Sequence, residues 1–263
     1  MSLLPALVAV GLVFALVVVV PARDGPGTTA AGGSTTETPF RDDPPTVAAI
    51  GDNPLHSSVV RPASVACELP EPGSAVSRLR AFYDALLRCL DRSWRPALDA
   101  AGARFGPARV SIADAPETAC GPLPPSAEAT GLYCSTDTTI YLPRSRTLDA
   151  FGLSVEAHVA TLAHEYGHHV QHLSGILDDA GRMLGRYAED GPADREIGRR
   201  VELQANCLAG TFLRQARDGG AFDRELAEAA VDDFRNWVDS DTHGAGDTQR
   251  GWALRGYRDG GAG

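Results

Sequence analysis

The chain has 263 residues, 43% hydrophobic and 22% charged, with a formal charge of −10. That length accommodates one domain of about 200 residues with an attachment, and the balance fits neither a wholly disordered chain nor a multi-span membrane protein. All 24 basic residues are arginine and they form no concentrated stripe, so no nucleic-acid partner is expected, since phosphates call for clustered cations.

From Leu3 to Val20 the chain is uncharged and almost wholly apolar, which as a helix gives about 27 Å, close to the hydrocarbon thickness of a bilayer. Residues 1–22 therefore read as a transmembrane anchor. The alternative is a cleaved signal segment, because Val20, Pro21 and Ala22 place small residues near a cleavage point. Residues 23–62, rich in Gly, Thr, Ala, Pro and Asp, read as a flexible linker. Residues 63–263 read as the folded domain. The five cysteines form no CxxC pair. Cys120 and Cys134 bracket a Gly/Pro/Ser-rich loop, and Cys67 precedes the helix that carries Cys89, so two disulfides are expected, with Cys207 left as a buried thiol. Such bridges need an oxidising compartment, and the domain is accordingly expected outside the cytoplasm, tethered to the membrane or secreted.

Within the domain, Ser74 is a candidate N-cap, and Val76, Leu79, Phe82, Tyr83, Leu86, Leu87, Leu90 and Trp94 recur at helical spacing. Arg109 to Ala113 reads as a short strand and Thr138 to Leu142 as another, which Pro143 ends early, as suits an edge strand over a cleft. Further helices run from about Ser154 to Leu173, stopping near Gly175, and from about Asp194 to Arg217, with Ile197, Val201, Ala205, Leu208 and Phe212 on one stripe. Leu226, Ala230, Phe234 and Val238 mark a last helix. The class is α+β, helix-rich, with a small edge-stranded sheet.

His164 and His168 stand four residues apart, so on a helix both imidazoles project from one face and reach a single ion, with Glu165 beside them. Chance alone gives this spacing in roughly one chain in a hundred. Zinc takes neutral imidazole nitrogen, and a catalytic site uses three protein ligands and leaves one position open. Glu165 then has the place of the general base that takes a proton from the attacking water. His158, His169 and His172 read as packing or surface residues. The third ligand has a candidate in Glu202, whose neighbours are small and apolar and make an uncompensated carboxylate costly; a helix-surface ion pair is the alternative. Asn206 lies one turn further on the same face.

These segments together resemble the neutral zinc metallopeptidase family of bacteria, over about Cys67 to Gly260. The resemblance rests on Cys120-Gly121, Gly131 to Cys134, the strand through Tyr141, Ala163 to Gln171 (AHEYGHHVQ), Glu202 to Cys207 (ELQANC), and His243-Gly244 followed by Gln249, Arg250 and Trp252. It implies a zincin-like domain behind a membrane-proximal segment, zinc held by His164, His168 and Glu202, Glu165 as base, and a protein or peptide substrate. The family pattern has Asp where Asn206 stands, so a neutral group replaces a carboxylate behind a ligating imidazole. It also tends to continue with an acidic residue where this chain has Leu142-Pro143. His243 is a candidate donor to the oxyanion of an attacked carbonyl, or else a structural loop residue. A working zinc peptidase is the leading expectation; a weak or inactive zinc-binding module tethered to the membrane, and a hydrolase acting on a non-peptide amide, are the alternatives.

Overall fold

The computed structural model describes residues 52–57, 60–184 and 191–260. The expected anchor and most of the expected linker lie outside them. Among the described residues no helix is long and apolar enough to cross a membrane. Residues 52–57 and 60–62, read from sequence as linker, pack on the domain: Pro54–His56 form a 3-10 turn, and Leu55 and Val60 are buried in the core.

Helix α1, Val76–Ala100, follows its apolar spacing and buries Leu79, Phe82, Tyr83, Leu86, Leu90 and Trp94. Its start differs from the expectation. The N-cap is Ala75, which has no side-chain acceptor, while Ser74 uses its backbone carbonyl to accept from Arg144 Nε at 2.8 Å. Val76 sits on the outer face, 58% exposed. Cys67 is bridged to Cys89 and Cys120 to Cys134, and Cys207 is a free, buried thiol.

The sheet has three short strands, β1 (Arg109–Ser111), β2 (Leu132–Cys134) and β3 (Thr139–Tyr141), in the order β1-β3-β2. β3 runs parallel to β1 and antiparallel to β2. The Thr138 to Leu142 segment is thus the central strand and not an edge. Pro143 is compatible with that place because the donors that continue the pairing flank it: Leu142 N reaches Ser111 O at 2.8 Å and Arg144 N reaches Ile112 O at 3.2 Å. Proline's missing N–H falls between them. The edge strand beside the site is β2, which periodicity did not reveal.

Helices α2 (Arg144–Phe151), α3 (Val155–Leu173), α4 (Ile176–Met183), α5 (Pro192–Asp218), α6 (Arg224–Asp233) and α7 (Gly246–Asp259) complete the fold. Ser154 Oγ accepts from Ala157 N at the start of α3, and Gly175, at φ 83°, turns the chain after its end. The expected last helix is divided. It stops at Asp233, a 3-10 turn covers Phe234–Asn236, Val238 is 56% exposed, and α7 follows. α3 lies at the centre, packed on α1, α5 and α6. Its rotation is fixed by buried Tyr166, whose hydroxyl donates to Asp91 Oδ1 on α1 at 2.8 Å.

Candidate metal centre

Two helices meet where the site forms, and a glycine lets them meet closely. A Cβ at Gly167 of α3 would stand 2.8 Å from the Ala205 carbonyl oxygen and 3.0 Å from its Cα on α5. Contact at backbone distance brings residues 164 and 168 of α3 against residues 202 and 206 of α5. Each of His164, His168 and Glu202 offers one ligand atom, all within 4.8 Å of one another. His164 Nε2 and His168 Nε2 lie 3.2 Å apart, and each is 3.3 Å from Glu202 Oε2.

That oxygen is buried and has no hydrogen-bond partner. A buried carboxylate in such a position costs several kcal/mol unless a cation compensates it. Burial by itself would raise the Glu202 pKa and lower that of His168. The imidazoles of His168 and His243 instead hold Glu202 well below its usual value, and Glu202 carries His168 up to about 9. The pocket attracts positive charge. Two imidazoles and one carboxylate are a donor set suited to zinc.

The groups behind the rings decide which nitrogen is free to ligate. Gln171 Nε2 donates to the Val201 carbonyl and to Gln204 Oε1, both at 2.8 Å. The backbone acceptor fixes the amide direction, so Gln171 Oε1 faces His168 Nδ1 at 2.9 Å and the proton must sit on Nδ1. Asn206 Oδ1 faces His164 Nδ1 at 2.7 Å and in that orientation accepts its proton, while Asn206 Nδ2 is buried without a partner. In the neutral rings Nε2 is therefore the nitrogen left to ligate, and a bound cation would take the place of the proton that Glu202 favours there.

His243 also reaches the site, with Nε2 3.3 Å from Glu202 Oε2, but hydroxyls stand behind it. Ser240 Oγ and Thr242 Oγ1 lie 3.0 and 3.1 Å from its Nδ1. Ser240 Oγ already accepts the His243 backbone N–H at 3.0 Å, so its own proton is free for Nδ1. In that tautomer Nε2 carries a hydrogen and can donate.

Glu165 is buried, and burial pushes its carboxyl above the ordinary range. Its Oε1 lies against Gly131, just before β2, where a Cβ would stand 2.8 Å from it. Trp237 covers His164 edge to face, 5.0 Å between centroids, and its Nε1 donates to Asp233 Oδ2 at 3.1 Å.

The remaining helix histidines are structural. His169 Nε2 donates to Gly106 O at 2.8 Å, and Tyr133 Oη spans the His169 and His172 Nδ1 atoms at 2.9 and 2.8 Å. His158 bonds Tyr83 Oη at 2.6 Å and Gly152 O at 3.1 Å. The structure thus brings together His164, Glu165, His168, Glu202, Asn206 and His243. Gln171 falls in a segment that carries the resemblance but has no role assigned from sequence, and Ser240 and Trp237 carry no distinguishing signal there.

The family described as “putative neutral zinc metallopeptidase” matches residues 63–263. Among relatives, the uncharacterized protein Rv2575 of Mycobacterium tuberculosis is 32% identical over 178 residues, covering 54% of this chain and 56% of its own. The uncharacterized protein YpfJ of Escherichia coli K12 is 32% identical over 148 residues, covering 49% and 50%. The chain thus spans about half the length of these relatives. No solved structure is significantly similar to it.

Proposed function

The chain belongs to this zinc metallopeptidase family, and from that premise we propose that it hydrolyses peptide bonds, with His164, His168 and Glu202 as zinc ligands, Glu165 as general base and His243 as oxyanion donor. The observation that carries the reading is the buried Glu202 Oε2, without a hydrogen-bond partner, facing the Nε2 atoms of His164 and His168 at 3.3 Å each.

Zinc bound there supplies a Lewis acid that polarises a carbonyl and makes a water more acidic. Glu165, with its pKa raised by burial, is a better base than an exposed carboxylate. It takes the proton of the attacking water and passes it to the leaving amine. Gly131 leaves room for that carboxylate at the rim. His243 directs its Nε2–H at the charge that develops on the carbonyl oxygen. Asn206 and Gln171 keep the ligand rings in one tautomer. The apolar segment Leu3–Val20 supports a membrane tether or a cleaved signal, and the two disulfides support an extracytoplasmic placement, which localisation of a tagged full chain tests.

The test of the activity is a comparison of wild type with Glu165→Gln. Elemental analysis is expected to give one zinc per chain in both, with hydrolysis of a peptide library several orders of magnitude lower in the variant. Equal hydrolysis removes Glu165 from the mechanism. A wild type that holds zinc and cleaves nothing favours the inactive binding module, a reading to which the neutral Asn206 in place of Asp lends its support.

A further inference from the structure

The hydrogen bonds behind His168 do not stop at Gln171. Gln171 is fully buried, and the acceptor of one of its two amide hydrogens is Gln204 Oε1 at 2.8 Å. Since that oxygen accepts, the other end of the same amide is its nitrogen, and Gln204 Nε2 lies 3.2 Å from His56 Nε2. The amide can only donate there, so His56 accepts on Nε2 and carries its proton on Nδ1. The donors therefore all point one way, from His168 Nδ1 through Gln171 and Gln204 to His56 Nε2, the terminal acceptor.

His56 is held rigidly. It belongs to the turn Pro54–His56, in which Asn53 Oδ1 accepts from Leu55 N at 3.0 Å and His56 N donates to Asn53 O at 2.9 Å. Leu55 is sunk in the core, and Asn53 Nδ2 donates to Ser174 O at the end of α3 at 2.8 Å. This turn precedes residues 63–263, the part of the chain that the family covers.

We infer that the turn Asn53–His56 is a positioning element of the metal centre: His56, through Gln204 and Gln171, restrains the ring of His168, whose tautomer the Val201 carbonyl already sets through Gln171. The inference rests on the zinc-site reading given above. Without the acceptor at residue 56, the Gln204 amide is held at its oxygen end alone, by Gln171. Gln171 then keeps its direction through Val201 O but loses a defined partner for its other hydrogen, and the His168 ring that it accepts from is held less firmly. Outer partners of ligating histidines commonly account for 10- to 100-fold in metal affinity.

The experiment uses the full chain as wild type, His56→Leu, Gln204→Leu and His56→Gln. Two quantities are read: zinc affinity by chelator competition, and the ring-nitrogen NMR resonances of His168 before zinc is added. Both leucine variants are expected to bind zinc about tenfold more weakly and to show averaged His168 ring-nitrogen shifts. His56→Gln, whose amide oxygen accepts from Gln204, is expected to stay within about twofold of wild type. Unchanged resonances and affinity in His56→Leu overturn the inference, and a loss in Gln204→Leu alone ends the chain of bonds at that residue. Failure of the site reading looks different: wild type takes up no zinc, while the His168 resonances still respond to residue 56.

Discussion

Gly167→Ala puts a methyl group where two backbones touch. The added Cβ would lie 2.8 Å from Ala205 O, 3.0 Å from its Cα and 3.2 Å from its Cβ. Carbon atoms in comfortable contact stand about 3.5 to 4.0 Å apart. α3 and α5 must therefore part locally by about 0.5 Å or more. Overpacking of this kind costs about 1 to 3 kcal/mol, while replacing a mid-helix glycine by alanine returns about 1 kcal/mol, so the net change in stability is expected to be small to moderate. Metal affinity is expected to suffer more, because ligand distances tolerate only about 0.2 Å and the crossing point lies between the His pair on one helix and Glu202 and Asn206 on the other. At least a tenfold loss, about 1.4 kcal/mol, is expected in chelator competition. Gly251→Ala is the control: nothing lies within 4 Å of a Cβ there, so it should gain about 1 kcal/mol from helix propensity with zinc binding unchanged. If Gly167→Ala is stabilised to the same degree and binds zinc as wild type does, close approach of the helices does not set the ligand geometry.

Asn206→Asp is expected to tighten zinc by about tenfold, because a carboxylate behind His164 Nδ1 raises the basicity of the ligating nitrogen; unchanged chelator competition with the fold intact refutes this. His243→Ala should keep its zinc and lose about 10²- to 10³-fold in kcat, the usual effect of removing an oxyanion donor, whereas loss of metal from that variant would make His243 a ligand. Burial holds His158 below its usual pKa and brings His169 down to about 4, so the unfolded chain takes up protons that the folded chain refuses. Stability is then complete above about pH 6.5 and falls as the pH drops toward 4, by about 3 kcal/mol for His169 alone. Chemical denaturation at pH 7 and pH 5 should show a smaller loss in His158→Gln than in wild type; an equal loss clears His158.

Much of the site lay open in the sequence because its chemistry fixes spacing within single helices. His164, Glu165 and His168 follow from one turn of α3. The stripes of α1, α3 and α5 each bury a continuous apolar face, which periodicity detects. α7 was missed because Gly246, Gly251 and Gly256 interrupt its pattern; packing on α5 supports it, with Gly256 against the Cys207 carbonyl. β2 is only three residues long and acquires its identity from pairing with β3. The central place of β3 was concealed by Pro143, whose missing donor falls between two paired neighbours. Gln171, Gln204 and His56 are polar residues whose importance comes from facing one another across distances of 33 and 148 residues in the chain. No local pattern carries such a relation.

Helix α5 is gripped by backbone on both flanks. On one side the Gly167 segment of α3 rests on Ala205; on the other, a side chain at Gly210 or Gly256 would overlap the carbonyls of Ala253 and Cys207 across the contact with α7. Backbone against backbone has no side chain to act as a cushion, so α3, α5 and α7 form a stack with little compliance. Softness is left to the rim. The segment Trp237–Ala245 is held through hydrogen bonds, among them Gln249 Nε2 to Val238 O and Gly244 O, both 3.0 Å. The two kinds of support are thus separated in space: the candidate ligand triangle of His164, His168 and Glu202 rests on backbone contacts, while the border beside it rests on side-chain hydrogen bonds.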